Sequence, residues 1–156
     1  MSGAGRAWAR AALVAAAVLA LDQGTKALVR GGLALGEEDA VLPAIKLVHT
    51  RNSGVAFGTF AGGGTLVSAL VLVALLALVL YFATHATKPL IWLPTGMLLG
   101  GAVGNIIDRV RDGAVTDFVK LPAWPAFNVA DASITLGVLL LFVVVERSER
   151  AAARDA

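Results

Sequence analysis

Apolar residues gather in four runs, at positions 8–29, 65–83, 90–107 and 132–145. A helix that crosses the hydrocarbon core of a bilayer needs about 20 apolar residues, with a range near 17–25. The first three runs meet that length. The fourth falls short unless its polar start, 128–131, lies at the membrane surface. The pattern predicts an all-α membrane protein with four transmembrane helices, in a single domain covering 1–156. The first run also has features of a cleaved leader, since Arg6 and Arg10 precede its apolar core and Val18-Leu19-Ala20 resembles a cleavage site. With three further apolar runs downstream, a retained anchor is the simpler reading.

Two longer segments, about 31–63 and 108–131, separate the spans on one side of the membrane. In the first, Ile45-Lys46-Leu47-Val48-His49-Thr50 is β-prone. Asn52-Ser53-Gly54 reads as a turn and Val55-Ala56-Phe57 as a return strand, which predicts a small hairpin on the membrane surface. Gly62-Gly63-Gly64 reads as a flexible joint before the second span. The second segment carries Pro122, Trp124 and Pro125, which suit an interfacial loop. No internal repeat is visible.

Four spans return both termini to one side. Arg6, Arg10, Lys88, Arg147, Arg150 and Arg154 lie on that side, and Arg30, Lys46, Arg51, Arg109, Arg111 and Lys120 on the other. The bare positive-inside count is therefore even. The terminal-side charges occupy shorter segments, and Arg6 and Arg10 have no acidic neighbours, which favours termini in the cytoplasm.

Composition supports the membrane reading. The chain is 58% hydrophobic and 15% charged, with a mean hydropathy of +0.79, whereas soluble domains carry about 25% charged residues. Its net charge of +2 includes no basic block, so no nucleic-acid partner is expected. There is no cysteine, which excludes thiol nucleophiles and Cys-ligated metals. His49 and His85 are far apart and no His-Glu-x-x-His string exists, which argues against a zinc protease, and neither metal nor cofactor is expected.

Ionisable groups near a membrane span are costly and mark function. Asp22 and Lys26 share a helix face at i,i+4 near the end of the first run. The plainer alternative is an ion pair that ends a helix, with Lys26 snorkelling to the surface. Gly96, Gly100 and Gly104 recur every four residues and predict close approach of another helix. Asn105, Asp108 and Arg109 continue that face, either solvated or as a buried network. Asn128 and Asp131 open the fourth run as an N-cap arrangement, and the helix dipole there favours an ionised Asp131. Asp117 reads as a loop residue. The apolar stretch between it and Asp131 folding back would join the two carboxylates at the membrane boundary. One would then activate water while the other, Asp117 by this reasoning, holds the proton and polarises a scissile carbonyl.

Four stretches together resemble the lipoprotein signal peptidases (signal peptidase II). They are Asp22-Gln23-Gly24-Thr25-Lys26; Arg51-Asn52-Ser53-Gly54-Val55-Ala56-Phe57-Gly58; Gly100 to Arg109, running on to Gly113-Ala114-Val115-Thr116-Asp117-Phe118; and Phe127-Asn128-Val129-Ala130-Asp131-Ala132-Ser133-Ile134. The resemblance covers about 8–146. It implies a four-helix membrane bundle with a small β-cradle on its outer face. It implies an aspartic endopeptidase that cuts a prolipoprotein just before a diacylglyceryl-modified cysteine, with Asp117 and Asp131 as the dyad. Asp22, Lys26, Asn52, Gly54, Asn105, Asp108, Arg109, Asn128 and Ala130 match positions that shape the family's site. It also implies cytoplasmic termini and an active site at the outer face of the bacterial inner membrane. The partners are then lipidated prolipoproteins and membrane lipid, and a monomer is expected. The rival class is a small transporter using intramembrane carboxylates. Transporters commonly show internal repeats and a midplane site, whereas here the polar residues cluster at one end. The Gly-x-Ser-x-Gly and Gly-x-Gly-Asp strings of other intramembrane proteases are absent from the sequence.

Overall fold

The computed structural model describes residues 1–53 and 63–154, with 63–68 and 152 described for their backbone only. In chain order the elements are α1 (Gly3–Gly32), β1 (Glu38–Leu42), β2 (Ile45–Asn52), α2 (Gly63–His85), α3 (Trp92–Asp112), β3 (Val115–Lys120) and α4 (Val129–Arg154). Each apolar run lies largely within a helix, and each helix extends past its run into polar turns. Two helices are long and apolar enough to cross a membrane, Gly3–Gly32 and Val129–Ala151, and α2 adds the shorter apolar stretch Ala69–His85. At about 1.5 Å per residue, a 30-residue helix such as α1 is longer than the roughly 30 Å hydrocarbon core. Leu70, Leu72, Leu76, Leu80, Leu139 and Phe142 point outward, an apolar exterior suited to lipid.

Helix α3 packs against its neighbours along much of its length, burying nine residues between Pro94 and Asp108. It touches α1 along the predicted glycine face. A Cβ on Gly96 would lie 2.6 Å from the Ala11 carbonyl, on Gly100 2.6 Å from the Ala15 carbonyl, and on Gly104 2.5 Å from Asp22 Oδ2. Only glycine fits so close a crossing. A second contact was not visible in the sequence pattern: Gly101 faces α4, where a Cβ would meet the Ala130 carbonyl at 2.7 Å. At the terminal end, Ala7, Ala11, Phe82, Ala86 and Ile91 form an apolar cluster that Leu141 and Val144 join.

The three strands form one antiparallel sheet in the order β1-β2-β3. The predicted strand at 45–50 is present, but its described partners differ from the expected hairpin. It pairs with 38–42 and with β3, and it runs on through Asn52, where the sequence pattern predicts a turn. The expected return strand 55–57, Gly54 and Gly62 lie outside the described residues. Asp117 belongs to β3 rather than to a loop, opposite Thr50. The turn into β3 is made by Gly113, whose φ of 73° ends α3 in the left-handed region.

Candidate active site

The ends of α1, α3 and α4 and the strands β2 and β3 converge on one polar network. Asp117 is buried on β3. One of its oxygens accepts from Asn128 Nδ2 at 2.7 Å and the other from Asn52 Nδ2 at 3.0 Å. Asp131 lies in the first turn of α4. Its Oδ1 accepts from Asn105 Nδ2 at 2.8 Å and its Oδ2 from the backbone N–H of Asn128 at 3.3 Å. The Asp131 N–H in turn donates to Asn128 Oδ1 at 2.9 Å, completing a reciprocal helix cap. Asn128 thus binds both carboxylates, with its side-chain NH2 on Asp117 and its backbone and amide oxygen on Asp131.

Behind this pair lies a charged cluster. Lys26 is 0% exposed, so it does not snorkel. Its three ammonium protons meet three acceptors: Asp22 Oδ2 at 2.8 Å, Asp108 Oδ2 at 3.0 Å and Asn105 Oδ1 at 2.9 Å. A buried ammonium is tolerable only when paired and hydrogen-bonded in this way. The bond to Asn105 also fixes which end of that amide faces Asp131. With Oδ1 held by Lys26, only Nδ2 remains to donate to the carboxylate. Asp22 Oδ1 accepts the Ala130 N–H at 2.9 Å and so ties α1 to the start of α4. Asp108 Oδ2 accepts the Thr116 N–H at 3.1 Å and ties α3 to the strand that carries Asp117.

The structure therefore joins Asp22, Lys26, Asn52, Asn105, Asp108, Asn128, Ala130, Asp117 and Asp131 in one network. Arg109 lies at its edge, donating to the Asn105 carbonyl at 3.3 Å, and its buried Nε has no hydrogen-bond partner among the described residues. Helix α1 supplies Asp22 and Lys26 to the network, so the first apolar run is packed into this fold. Sequence reasoning missed Gln23, which donates to Asp22 and Asp108 at 3.1 Å each. It also missed Arg30, which reaches Thr116 Oγ1 at 3.1 Å and Asp108 at 3.8 Å. The spacing of Arg30 from Asp22 and Lys26, in steps of four, was the available signal.

Burial pushes the Asp117 carboxyl up to about 6 from 3.8, and the charge of Asp131 acts in the same direction, against the amide bonds from Asn52 and Asn128. Two neighbouring carboxylates in unlike surroundings can divide acid and base work between them. An apolar cavity of about 460 Å³ runs between α2, α3 and α4, walled by Leu75, Leu78, Leu98, Ala102, Ile134 and Val138. Ala102 and Ile134 in its wall lie one helical turn from Asn105 and Asp131. Apolar helices fit for a bilayer and a paired-carboxylate site define the class, a membrane hydrolase of the aspartic type.

Comparison with known proteins narrows the class. The family model described as Signal peptidase (SPase) II matches residues 14–146. The lipoprotein signal peptidase of Desulforapulum autotrophicum is 42% identical over 146 residues, covering 86% of this chain and 90% of that protein. That of Halothermothrix orenii is 34% identical over 142 residues, covering 88% and 96%. A solved structure described as a bacterial membrane enzyme superposes with a TM-score of 0.80 at 32% identity, covering 89% of this chain and 88% of that one. The chain belongs to the signal peptidase II family and is a membrane aspartic peptidase. This membership sets aside the transporter alternative.

Proposed function

We propose that this chain removes signal peptides from lipid-modified prolipoproteins, cutting just before the diacylglyceryl-cysteine, with Asp117 and Asp131 as the catalytic pair. The observation that carries the reading is Asn128, which holds both carboxylates at once. In the reaction, Asp131 takes a proton from water as the water oxygen attacks the scissile carbonyl. Asp117 gives its proton to the carbonyl oxygen. As the tetrahedral intermediate collapses, the C–N bond breaks, the proton on Asp131 passes to the leaving amine, and a hydroxyl proton returns to Asp117. Asp131 suits the base role because two N–H groups and the α4 N-terminus face it. Buried Asp117 suits the acid role.

All four helices span the inner membrane in this reading, with termini in the cytoplasm and the site at the outer face. The sheet caps the site and offers backbone to an extended peptide. The apolar groove gives a bilayer-anchored substrate a wall to lie against. Every site residue comes from one chain, which suits a monomer. The test gives purified protein one prolipoprotein with and without its diacylglyceryl group. Mass spectrometry should find a product that begins at the lipidated cysteine, and the unlipidated form should stay intact. Equal cleavage of both, or a different new N-terminus, refutes the proposal.

A further inference from the structure

A second polar cavity lies at the opposite end of the bundle from the carboxylates. It measures about 220 Å³ and is formed by the first turns of α1 and the connection between α2 and α3. Three cations line it, Arg6, Arg10 and Lys88, and no acidic residue does. Each cation is held by a neutral partner. Arg6 donates to the Met1 carbonyl at 3.2 Å, Arg10 sits 5.6 Å over the Trp92 ring, and Lys88 sits 6.0 Å over the Tyr81 ring. Among the described residues, none of the three makes an ion pair, although Lys46, Lys120 and Arg150 elsewhere on the surface all do. Three like charges arranged around one small cavity repel one another, and an anion between them converts that repulsion into attraction.

The surroundings say where such an anion would come from. Ala7 and Ala86 line the cavity and also belong to the apolar cluster with Phe82 and Ile91 directly beneath it. The cavity therefore straddles the boundary between apolar bundle and polar surface. Trp92 lines it and Trp8 packs on Phe82 of the apolar cluster, as aromatic rings do at headgroup depth, and Leu90 on its rim leaves 57% of its surface exposed. We propose that this cavity binds the phosphate of an anionic phospholipid headgroup, with Arg6, Arg10 and Lys88 as its ligands and the lipid's acyl chains lying along the outside of α1 and α2. The site is separate from the carboxylates, so it stands or falls independently of the peptidase assignment.

The full chain in nanodiscs of equal phosphatidylglycerol and phosphatidylcholine, released into native mass spectrometry, reads which lipid is retained. Wild type should retain phosphatidylglycerol preferentially. A cation near an anionic lipid contributes about fivefold, so Arg6→Gln/Arg10→Gln/Lys88→Gln should lower the preference by about a hundredfold. The control is Arg147→Gln/Arg150→Gln/Arg154→Gln, which removes the same charge from the end of α4 and should keep the preference. All six positions lie at the bundle's surface end, and thermal unfolding in phosphatidylcholine alone checks that both variants fold. A parallel arm adds inorganic phosphate to lipid-free protein in detergent and should give no thermal shift. Equal loss in the two variants would reduce the effect to general surface charge and overturn the site. Stabilisation by inorganic phosphate as strong as that by the lipid would overturn the assignment of a lipid as its occupant.

Discussion

Replacing Gly104 by alanine adds one methyl group at the point where α3 crosses α1. That Cβ would sit 2.5 Å from Asp22 Oδ2, almost an ångström inside ordinary contact. The oxygen has little freedom to retreat, because it also accepts from Lys26 at 2.8 Å and from Gln23 at 3.1 Å. Alanine favours a helix over glycine by about 1 kcal/mol. Disturbing a buried ion pair costs about 3–5 kcal/mol. The net expectation is a loss of about 2 kcal/mol or more, which for a domain of this size lowers Tm by roughly 4–8 °C. Turnover should fall too, since Asp22 also holds the Ala130 N–H at the start of the helix that bears Asp131. Gly24→Ala is the matched control: it lies in α1 with nothing within 4 Å of its added Cβ, and it should be neutral or slightly stabilising. Thermal unfolding in detergent and cleavage of a lipidated substrate measure the two effects. A Gly104→Ala protein as stable and active as wild type would refute the reasoning.

Gly100→Leu should prevent normal accumulation or lower Tm strongly, because its side chain would enter the Ala15 carbonyl and Val18; wild-type stability would contradict the close crossing. Lys26→Met leaves Asp22 and Asp108 buried without their cation and should cost about 3–5 kcal/mol. Adding Asp22→Asn restores the charge balance between Asp108 and Arg30 and should recover much of that stability in denaturation assays. Asp117 links stability to pH. Its carboxyl binds a proton more tightly folded, at about 6, than unfolded, at 3.8. Stability from this group is therefore fully present below the unfolded value and is lost as pH rises toward about 6, by about 3 kcal/mol at about 1.4 kcal/mol per pH unit. Asp117→Asn should lack this component when unfolding is compared at pH 4 and pH 7, and an unchanged slope would contradict it.

Much of this arrangement was legible in the sequence because it is periodic or local. The glycine face at 96, 100 and 104, the Asp22–Lys26 step and the Asn128–Asp131 cap each lie within a turn or two of one helix. What escaped notice depends on pairing across the chain. Asp117 looked like a loop residue because β3 is only six residues long and its partner β2 lies more than sixty positions away. Nothing near 117 announces that register. Helix ends were underestimated for a different reason. The last turns of α4 carry Glu146, Arg147 and Arg150, which leave no apolar signature, and Glu146 and Arg150 pair along the helix. The burial of Lys26 was equally hidden, since an isolated lysine at a span's end reads as a snorkelling group until its three acceptors from α1 and α3 are seen together.

The central claim is that Asp117 and Asp131 divide one hydrolytic reaction between them. Single-turnover cleavage of a lipidated prolipoprotein by Asp117→Asn and by Asp131→Asn, each shown to be folded by thermal unfolding, tests it most directly. An amide can neither take the water's proton nor return one to the carbonyl oxygen, so each variant should lose activity by at least about 10²–10⁴-fold while still binding substrate. Near-normal turnover by either folded variant would contradict the account.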